Sequence, residues 1–153
     1  MTDSAHLDCK IFVDTERSAE ELAAMLLPVL LGQEVTGGAG VRTILTPKAE
    51  VEIRKNEEFD KDRGRVFPDG FLHFTYALEV YPSAGTPRAE VVHLMASLLN
   101  ELWAQTIPAV AACDYEAELP HGGGYNSPSV PWPSEKNGPI GKSLPTEQAE
   151  LSP

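Results

Sequence analysis

The sequence predicts an α+β domain with the ferredoxin-like order strand, helix, strand, strand, helix, strand. Three observations predict it. The stretch 71–82, FLHFTYALEVYP, alternates with the period of a strand that has one buried face. Two other stretches carry apolar residues at helical spacing, and three more alternate like strands. In this fold a four-stranded antiparallel sheet, ordered 4-1-3-2, carries both helices on one face; the alternative is an antiparallel α+β sheet with these elements ordered differently.

The first strand and the first helix follow directly from the N-terminal part of the chain. Residues 9–15, CKIFVDT, alternate between two faces as a strand does. Ser18 can cap the helix, and Glu21 stands three residues later, which is the spacing of a capping box. Pro28 lies within the apolar stripe and predicts a kink or an early end, with Gly32 as a natural stop.

The middle of the chain predicts two strands that are joined by a charged loop. Residues 41–56 form the second strand, and Pro47, a point of interruption, favours an edge position. The loop 57–70 ends in a Pro-Asp-Gly turn. The third strand, 71–82, is long enough to be central, and its alternation places Phe74 on the inward face beneath the second helix.

The second helix and the fourth strand complete the predicted fold. Thr86 can cap the helix, and Pro87 occupies the first helical position, where its missing N–H costs nothing. The apolar stripe continues to about Gln105. Residues 109–119, AVAACDYEAEL, alternate as the fourth strand.

The chain divides into three regions by composition. Residues 1–7 form an N-terminal extension, residues 8–120 form a single α+β domain, and residues 121–153 form a tail rich in Pro, Gly and Ser. A tail of this composition buries too little apolar surface to offset its ordering entropy, so it is predicted to be disordered. Docking by Tyr125 or Trp132 is the exception that the sequence leaves open.

The charge of the chain limits its partners. It has 23 Asp and Glu against 12 Lys and Arg, a net charge of −11. Such a chain does not neutralise phosphates, which excludes nucleic acid and anionic membrane surfaces as partners. A basic protein or a cation remains, as does the alternative that the charge serves only solubility. The oligomeric state is left undetermined.

The N-terminus and the cysteine content predict a compartment. The first ten residues have no basic segment followed by an apolar one, so we expect no signal peptide. No apolar run approaches the roughly 18 residues of a membrane span. Two cysteines do not make a disulfide framework, which favours a reduced, cytoplasmic protein. Cys9 and Cys113 share the inward parity of neighbouring strands and could approach within bridging distance.

Catalytic, metal and cofactor motifs are absent from the sequence. No pair of histidines has metal-ligand spacing, and the acidic run from 50 to 62 lacks the order of a calcium loop. The glycine-rich turn 37–40 is not followed by the Lys-Ser or Lys-Thr pair of a phosphate loop. We therefore predict no metal, no cofactor and no catalysis.

The outward face of the predicted sheet is the candidate binding surface. It gathers aromatic residues within an acidic surround, which resembles a protein-binding patch in composition, although a solvated face is the alternative. Pairing with a second copy would place like charges opposite each other. The candidate partner-binding residues are Phe12, Asp14, Glu50, Glu52, His73, Glu79, Tyr81, Asp114, Glu116 and Glu118.

A small acidic α+β domain of this kind resembles the immunity proteins of bacterial polymorphic toxin systems, in type rather than by motif, over residues 8–119. The resemblance implies tight binding to a basic toxin and no catalysis. The alternative is a small-molecule-binding domain or enzyme of ferredoxin-like fold, with His73, Tyr81 and Glu79 making polar contacts on the open sheet face. A structural subunit of a larger assembly is a third reading.

Overall fold

The computed structural model describes residues 7–35 and 41–133, and within them two helices and six strands form an α+β domain. The predicted turn 37–40, most of the predicted extension 1–7 and residues 134–153 of the predicted tail lie outside the described residues. The elements are β1 (Cys9–Val13), α1 (Ala19–Leu30), β2 (Gln33–Val35), β3 (Val41–Leu45), β4 (Ala49–Lys55), β5 (Tyr76–Pro82), α2 (Arg88–Ala104) and β6 (Ala109–Ala112).

The strands form one antiparallel sheet in the order β2-β3-β4-β5-β1-β6. The prediction of four strands is wrong, because the predicted second strand is a hairpin and a short strand follows α1. The hairpin turns at Pro47, whose fixed φ suits the second position of a turn. The Thr46 N–H donates to the Ala49 carbonyl at 2.9 Å, and the Thr46 hydroxyl accepts from the Lys48 and Ala49 N–H groups.

The main hydrophobic core lies between the sheet and both helices. The inward residues of the central strands are fully buried, with Ile11 and Ile53 placed on either side of Leu78. Leu26 of α1 and Leu98 of α2 belong to the same buried cluster. Full burial of one Leu or Ile side chain stabilises a fold by about 1.5–3 kcal/mol, so this cluster holds the helices onto the sheet.

The predicted start of α1 is confirmed. The Glu21 N–H donates to the Ser18 hydroxyl at 3.1 Å, and the Ser18 N–H donates to the Glu21 carboxylate at 2.9 Å, which completes the capping box. Pro28 faces solvent, and the helix continues for only two residues beyond it. It ends in a left-handed residue, Leu31, with φ 53°.

The predicted cap of α2 is wrong. Pro87 precedes the first helical residue, and its carbonyl accepts the N–H groups of Glu90 and Val91. The Thr86 hydroxyl donates instead to the Lys48 carbonyl at 3.1 Å. Thr86 therefore ties the start of α2 to the β3–β4 turn.

The predicted third strand begins too early. Asp69–His73 is a 3-10 turn, and the strand starts only at Tyr76. The Asn56 side-chain amide donates to the carbonyls of Leu72 and Phe74, at 3.0 and 2.8 Å, and so satisfies groups that a longer ladder would need. Phe74 is fully buried, but it lies among outward-facing residues rather than beneath α2.

The predicted fourth strand ends too late. β6 stops at Ala112, and the chain then enters a turn in which the Cys113 N–H donates to the Glu116 carboxylate at 2.9 Å. A 3-10 turn at Glu116–Glu118 follows. Tyr115 is buried, and its hydroxyl donates to the Leu7 carbonyl, so the residue that we placed in the extension is already part of the packed domain.

The segment 120–133 packs against the domain, contrary to a disordered tail that starts at 121. Trp132 lies with its ring centroid 5.3 Å from that of Phe74, and its Nε1–H donates to the Arg65 carbonyl. The Tyr125 hydroxyl donates to Asp69 at 2.7 Å. Sparse aromatic residues in a Pro- and Gly-rich stretch are therefore sufficient to order it when the sheet offers them an apolar surface.

Candidate binding surface

The outward face of the sheet, opposite the helices, has two halves. One half is covered by the cap, a name we give to residues 56–75 together with 120–133. The cap buries Phe12 and Val110 of the sheet beneath Phe71 and Phe74, with Trp132 packed against them. The other half, the open patch, keeps polar side chains at least partly exposed to solvent; it consists of Lys10, Glu50, Glu52, Arg54, Glu79 and Tyr81.

Strand register assembles the open patch. Glu79 on β5 lies between Lys10 on β1 and Glu52 on β4, and all three side chains point outward. Two residues away on each strand, Tyr81 lies opposite Glu50. Residues two apart on a strand share a face. The alternation within residues 50–54 of β4 and 78–81 of β5 therefore places the polar groups of these two strands on one surface.

Glu79 is the most strongly coordinated carboxylate of the open patch. It accepts a hydrogen bond from the Tyr81 hydroxyl, and it lies 3.5 Å from the Lys10 ammonium and 4.0 Å from Arg54 Nε. The Tyr81 hydrogen bond is the main cause that lowers the pKa of Glu79, with the two bases adding to it. The same hydrogen bond raises the pKa of Tyr81 to about 12.

Glu50 and Glu52 stand two residues apart on β4 and face the same side. Glu52 forms an ion pair with the Arg54 guanidinium. Contact with the Glu52 carboxylate is the main cause that raises the pKa of Glu50 above its usual value. The patch therefore contains a like-charge contact at Glu50, beside a carboxylate that is already engaged by a base.

Two of the predicted binding residues are withdrawn from the surface. Phe12 is buried edge-to-face against Phe71, with ring centroids 5.4 Å apart, so the cap occupies the place that we predicted for a partner. Asp14 accepts a hydrogen bond from the Thr75 hydroxyl at 3.0 Å, and burial is the main cause that raises its pKa. Both residues join the sheet to the cap.

The other predicted residues are scattered. His73 lies in the cap, with Nδ1 2.9 Å from the Glu58 carbonyl, and it is separated from Tyr81 by the length of β5. His73 is therefore not brought together with Tyr81 and Glu79, the other two polar residues of the predicted small-molecule site.

The three acids that follow β6 also leave the sheet face. Asp114 is exposed in the turn, and Glu116 accepts the Cys113 N–H. Glu118 forms an ion pair with Arg88 of α2. These acids would face outward only if β6 continued to residue 119 as predicted. The turn that begins at Cys113 ends the strand before it reaches them.

Leu45 was not predicted as a surface residue; it lies opposite Glu50 on β3 and is 44% exposed. It was missed because β3 and β4 were read as one strand. Thr-Pro-Lys at 46–48 is the signal that could have separated them, since proline favours the second position of a turn. Leu45 and Tyr81 flank Glu50 on neighbouring strands and supply apolar surface next to the acidic pair.

Two ionisable groups of the open patch, Glu79 and Tyr81, have pKa values that differ from those of a general acid or base. A general acid or base works best with a pKa near the working pH. Here the pKa of Glu79 is lowered and that of Tyr81 is raised, so both move away from neutrality. Within the described ranges, no group of three or more His, Cys, Asp or Glu could hold a metal ion.

Neither helix of the described chain is long and apolar enough to cross a membrane. Comparison with protein-family models, with curated proteins and with solved structures finds no match to this chain.

Proposed function

We propose that the protein is a non-catalytic binding protein whose open patch receives a basic protein partner. The observation that carries the proposal is the arrangement of three carboxylates on one face, in which Glu50 and Glu52 lie two residues apart on β4 and Glu79 lies opposite Glu52. The neighbouring Glu52 carboxylate also raises the pKa of Glu50. Two carboxylates in contact repel each other in the free chain. A Lys or Arg from a partner would relieve that repulsion, so the free surface favours the binding of a cation.

Apolar groups beside the acidic pair support a protein as the source of that cation. Leu45 and Tyr81 lie on either side of Glu50, and protein interfaces combine such anchors with a polar rim. The net charge of −11 attracts a basic partner over a longer range and speeds the encounter. Leu45 takes the anchoring role that the sequence had assigned to Phe12.

An immunity protein that inhibits a basic toxin by direct contact is the class we propose, in a reducing, cytoplasmic setting. For the fold, the order β6-β1-β5-β4 supports a ferredoxin-like unit that is extended at one edge by β3 and β2. A fold of this type serves many functions, so only the residues of the open patch support a role in binding.

The test is affinity capture with the wild-type domain, followed by binding kinetics on the purified captured partner. Glu50→Lys reverses the charge of the patch and should lower the association rate at low salt, with a smaller loss at high salt. Tyr81→Ala should instead raise the dissociation rate, because it removes a desolvated anchor.

Asp114→Lys is the matched control for Glu50→Lys. It makes the same change in net charge at an exposed acid that lies off the sheet face. If Asp114→Lys slows association as much as Glu50→Lys, the effect belongs to net charge and the open patch is not the interface. If neither Glu50→Lys nor Tyr81→Ala alters binding, the partner binds elsewhere.

If the substitutions in the open patch leave binding unchanged, the cap is the next candidate for the interface. It exposes Phe59, Phe67 and Tyr125, with Phe59 43% and Phe67 42% exposed. Phe59→Ser and Phe67→Ser would then weaken binding while the substitutions in the open patch leave it unchanged.

A further inference from the structure

Two cysteines meet where the start of β1 adjoins the end of β6. Cys9 is the first residue of β1, and Cys113 follows the last residue of β6. In the register of these strands Lys10 lies opposite Ala112, so one further step places Cys9 opposite Cys113. Both thiols are free.

The hydrogen-bond pattern defines the kind of pair that they form. The Asp14 N–H donates to the Pro108 carbonyl at 3.0 Å, so these two residues form a hydrogen-bonded pair of the ladder. Such pairs alternate with non-hydrogen-bonded ones in an antiparallel ladder. Counted along the register, Cys9 and Cys113 fall on a non-hydrogen-bonded pair. The hydrogen bond of the Cys113 N–H is consistent with this assignment, because it goes to the Glu116 carboxylate and not across to β1.

This pairing brings the two cysteines within reach of a covalent bond. The Cα atoms of a non-hydrogen-bonded pair are about 4.5 Å apart, and the side chains are closer than in the alternate pair. Disulfides span Cα separations of about 4.4–6.8 Å, so the strands need not move far to accept one. The contact between the thiols already affects both of them, because it raises the pKa of Cys9 and lowers the pKa of Cys113.

The two thiols differ in their access to solvent. Cys9 is 5% exposed and packs in the main core, whereas Cys113 is only half-buried in the turn after β6. A low pKa and access to solvent are the properties of a reactive thiol, while a buried thiol of raised pKa is inert until a neighbouring sulfur is activated. The pair therefore has an outer, attacking member and an inner, resolving member.

We propose that Cys9 and Cys113 form a peroxide-sensitive pair, in which Cys113 is oxidised first and Cys9 then closes an intramolecular disulfide. The Cys113 thiolate attacks one oxygen of hydrogen peroxide, the O–O bond breaks, and hydroxide leaves, which gives a sulfenic acid. The Cys9 sulfur then attacks the Cys113 sulfur, and the sulfenic oxygen leaves as water with the Cys9 proton. Each peroxide takes two electrons from the two sulfurs, and a dithiol reductant reverses the reaction.

The test is stoichiometric oxidation of the reduced full-length chain by hydrogen peroxide. One equivalent should consume both thiols, as measured by thiol titration, and the intact mass should fall by two hydrogens with no gain of oxygen. Reduction by dithiothreitol should restore both thiols and the mass. A mass that rises by two or three oxygens, or a disulfide-linked dimer on a non-reducing gel, would overturn the proposal.

Single substitutions separate the two roles. Cys9→Ala should stop at a Cys113 sulfenic acid, which dimedone traps as one adduct per chain, because the resolving thiol is gone. Cys113→Ala should keep its remaining thiol through the same peroxide treatment, because Cys9 is buried. Circular dichroism confirms that each variant is folded. Equal reactivity of the two variants, or trapping only in Cys113→Ala, would refute the assigned order.

Discussion

The helix-covered face of the sheet and the cap-covered half of the opposite face are both apolar and buried, but they are built in different ways. On the helix side, the covering elements are long helices whose apolar stripes are visible in the local sequence. On the cap side, Trp132 bonds the Arg65 carbonyl across 67 positions, and Tyr125 bonds Asp69 across 56. A second core can therefore be assembled from irregular segments whose apolar residues follow no local period.

The largest expected effect comes from removing the C-terminal part of the cap. A chain that stops after Pro120 loses Trp132, the buried Val130 and Tyr125. Trp132 is only partly buried, but it packs on the fully buried Phe74, so its removal also uncovers that ring. Because deleting one buried aromatic ring costs about 3–5 kcal/mol, we expect the free energy of unfolding to fall by about 5 kcal/mol when the two rings and Val130 are affected together. Urea denaturation of the two chains measures the difference.

A chain that stops after Pro133 is the control for this truncation, because it keeps every contact described for the cap. If the chain ending at Pro120 is as stable as the one ending at Pro133, the cap does not support the sheet, and only the helix face is a core.

Phe74→Ala should lower the free energy of unfolding by about 3–5 kcal/mol, as expected for a fully buried ring. Double-mutant cycles test which of the two clusters Phe74 belongs to. Phe74 and Trp132 have ring centroids 5.3 Å apart, so their alanine substitutions should be coupled by roughly 0.5–1.5 kcal/mol. Phe74→Ala and Leu98→Ala lie in different clusters and should be additive. If the alanine substitutions of Phe74 and Leu98 were coupled instead, Phe74 would pack in the core between the sheet and the helices, and the assignment to the cap would be wrong.

A smaller effect is expected from the loss of the N-cap of α1, which lies on the helix side of the sheet. Ser18→Ala removes the hydroxyl that accepts the Glu21 N–H and should cost about 1 kcal/mol, the usual value for an N-cap. Glu20→Gln, in the same first turn but outside the capping box, is the control. Thermal unfolding at several pH values measures both. No loss in Ser18→Ala together with a loss in Glu20→Gln would mean that the charge at the helix N-terminus, and not the capping hydrogen bond, stabilises the start of α1.

The smallest effect is expected at Asp14, where the sheet meets the cap. Burial raises its pKa in the folded chain above the usual 3.8, so folding favours the protonated form. That contribution is fully present below the unfolded value and is lost as pH rises through the folded value. Asp14→Asn keeps an acceptor for Thr75 without the charge, so it should be slightly more stable at neutral pH and less pH-dependent above pH 4. Unfolding measured from pH 3 to 7 decides this, and an unchanged pH dependence would contradict it.

The elements on the helix side were largely predictable. The capping box at Ser18 and the alternation of the central strands are local patterns, and both correspond to the structure. The limits of β5 and β6 were not predictable in this way. Asn56 bonds carbonyls 16 and 18 residues away, and the Glu116 carboxylate accepts the Cys113 N–H in the turn that follows β6. A side chain that competes for backbone groups leaves no trace in the period of apolar residues.

The candidate site was predicted in part, for the same reason. Glu50, Glu52, Glu79 and Tyr81 meet because strand parity held on β4 and β5. Phe12 was on the correct face, but its burial depended on the cap, which comes from segments far away in the sequence.

The three glycines at 122–124 have a consequence for association. The Gly123 and Gly124 backbone lies against the Ala111 and Ala109 carbonyls on the outer side of β6, where a Cβ on Gly124 would come within 2.9 Å of the Ala109 oxygen. This edge of the sheet is therefore closed to an incoming strand. Of the edges in the described chain, β2 is the other, and it offers only three residues. Strand-by-strand growth into fibrils needs a long free edge. We therefore expect the glycine segment to hinder β-aggregation of this acidic domain by steric means, which salt does not weaken, whereas the effect of net charge is screened by salt.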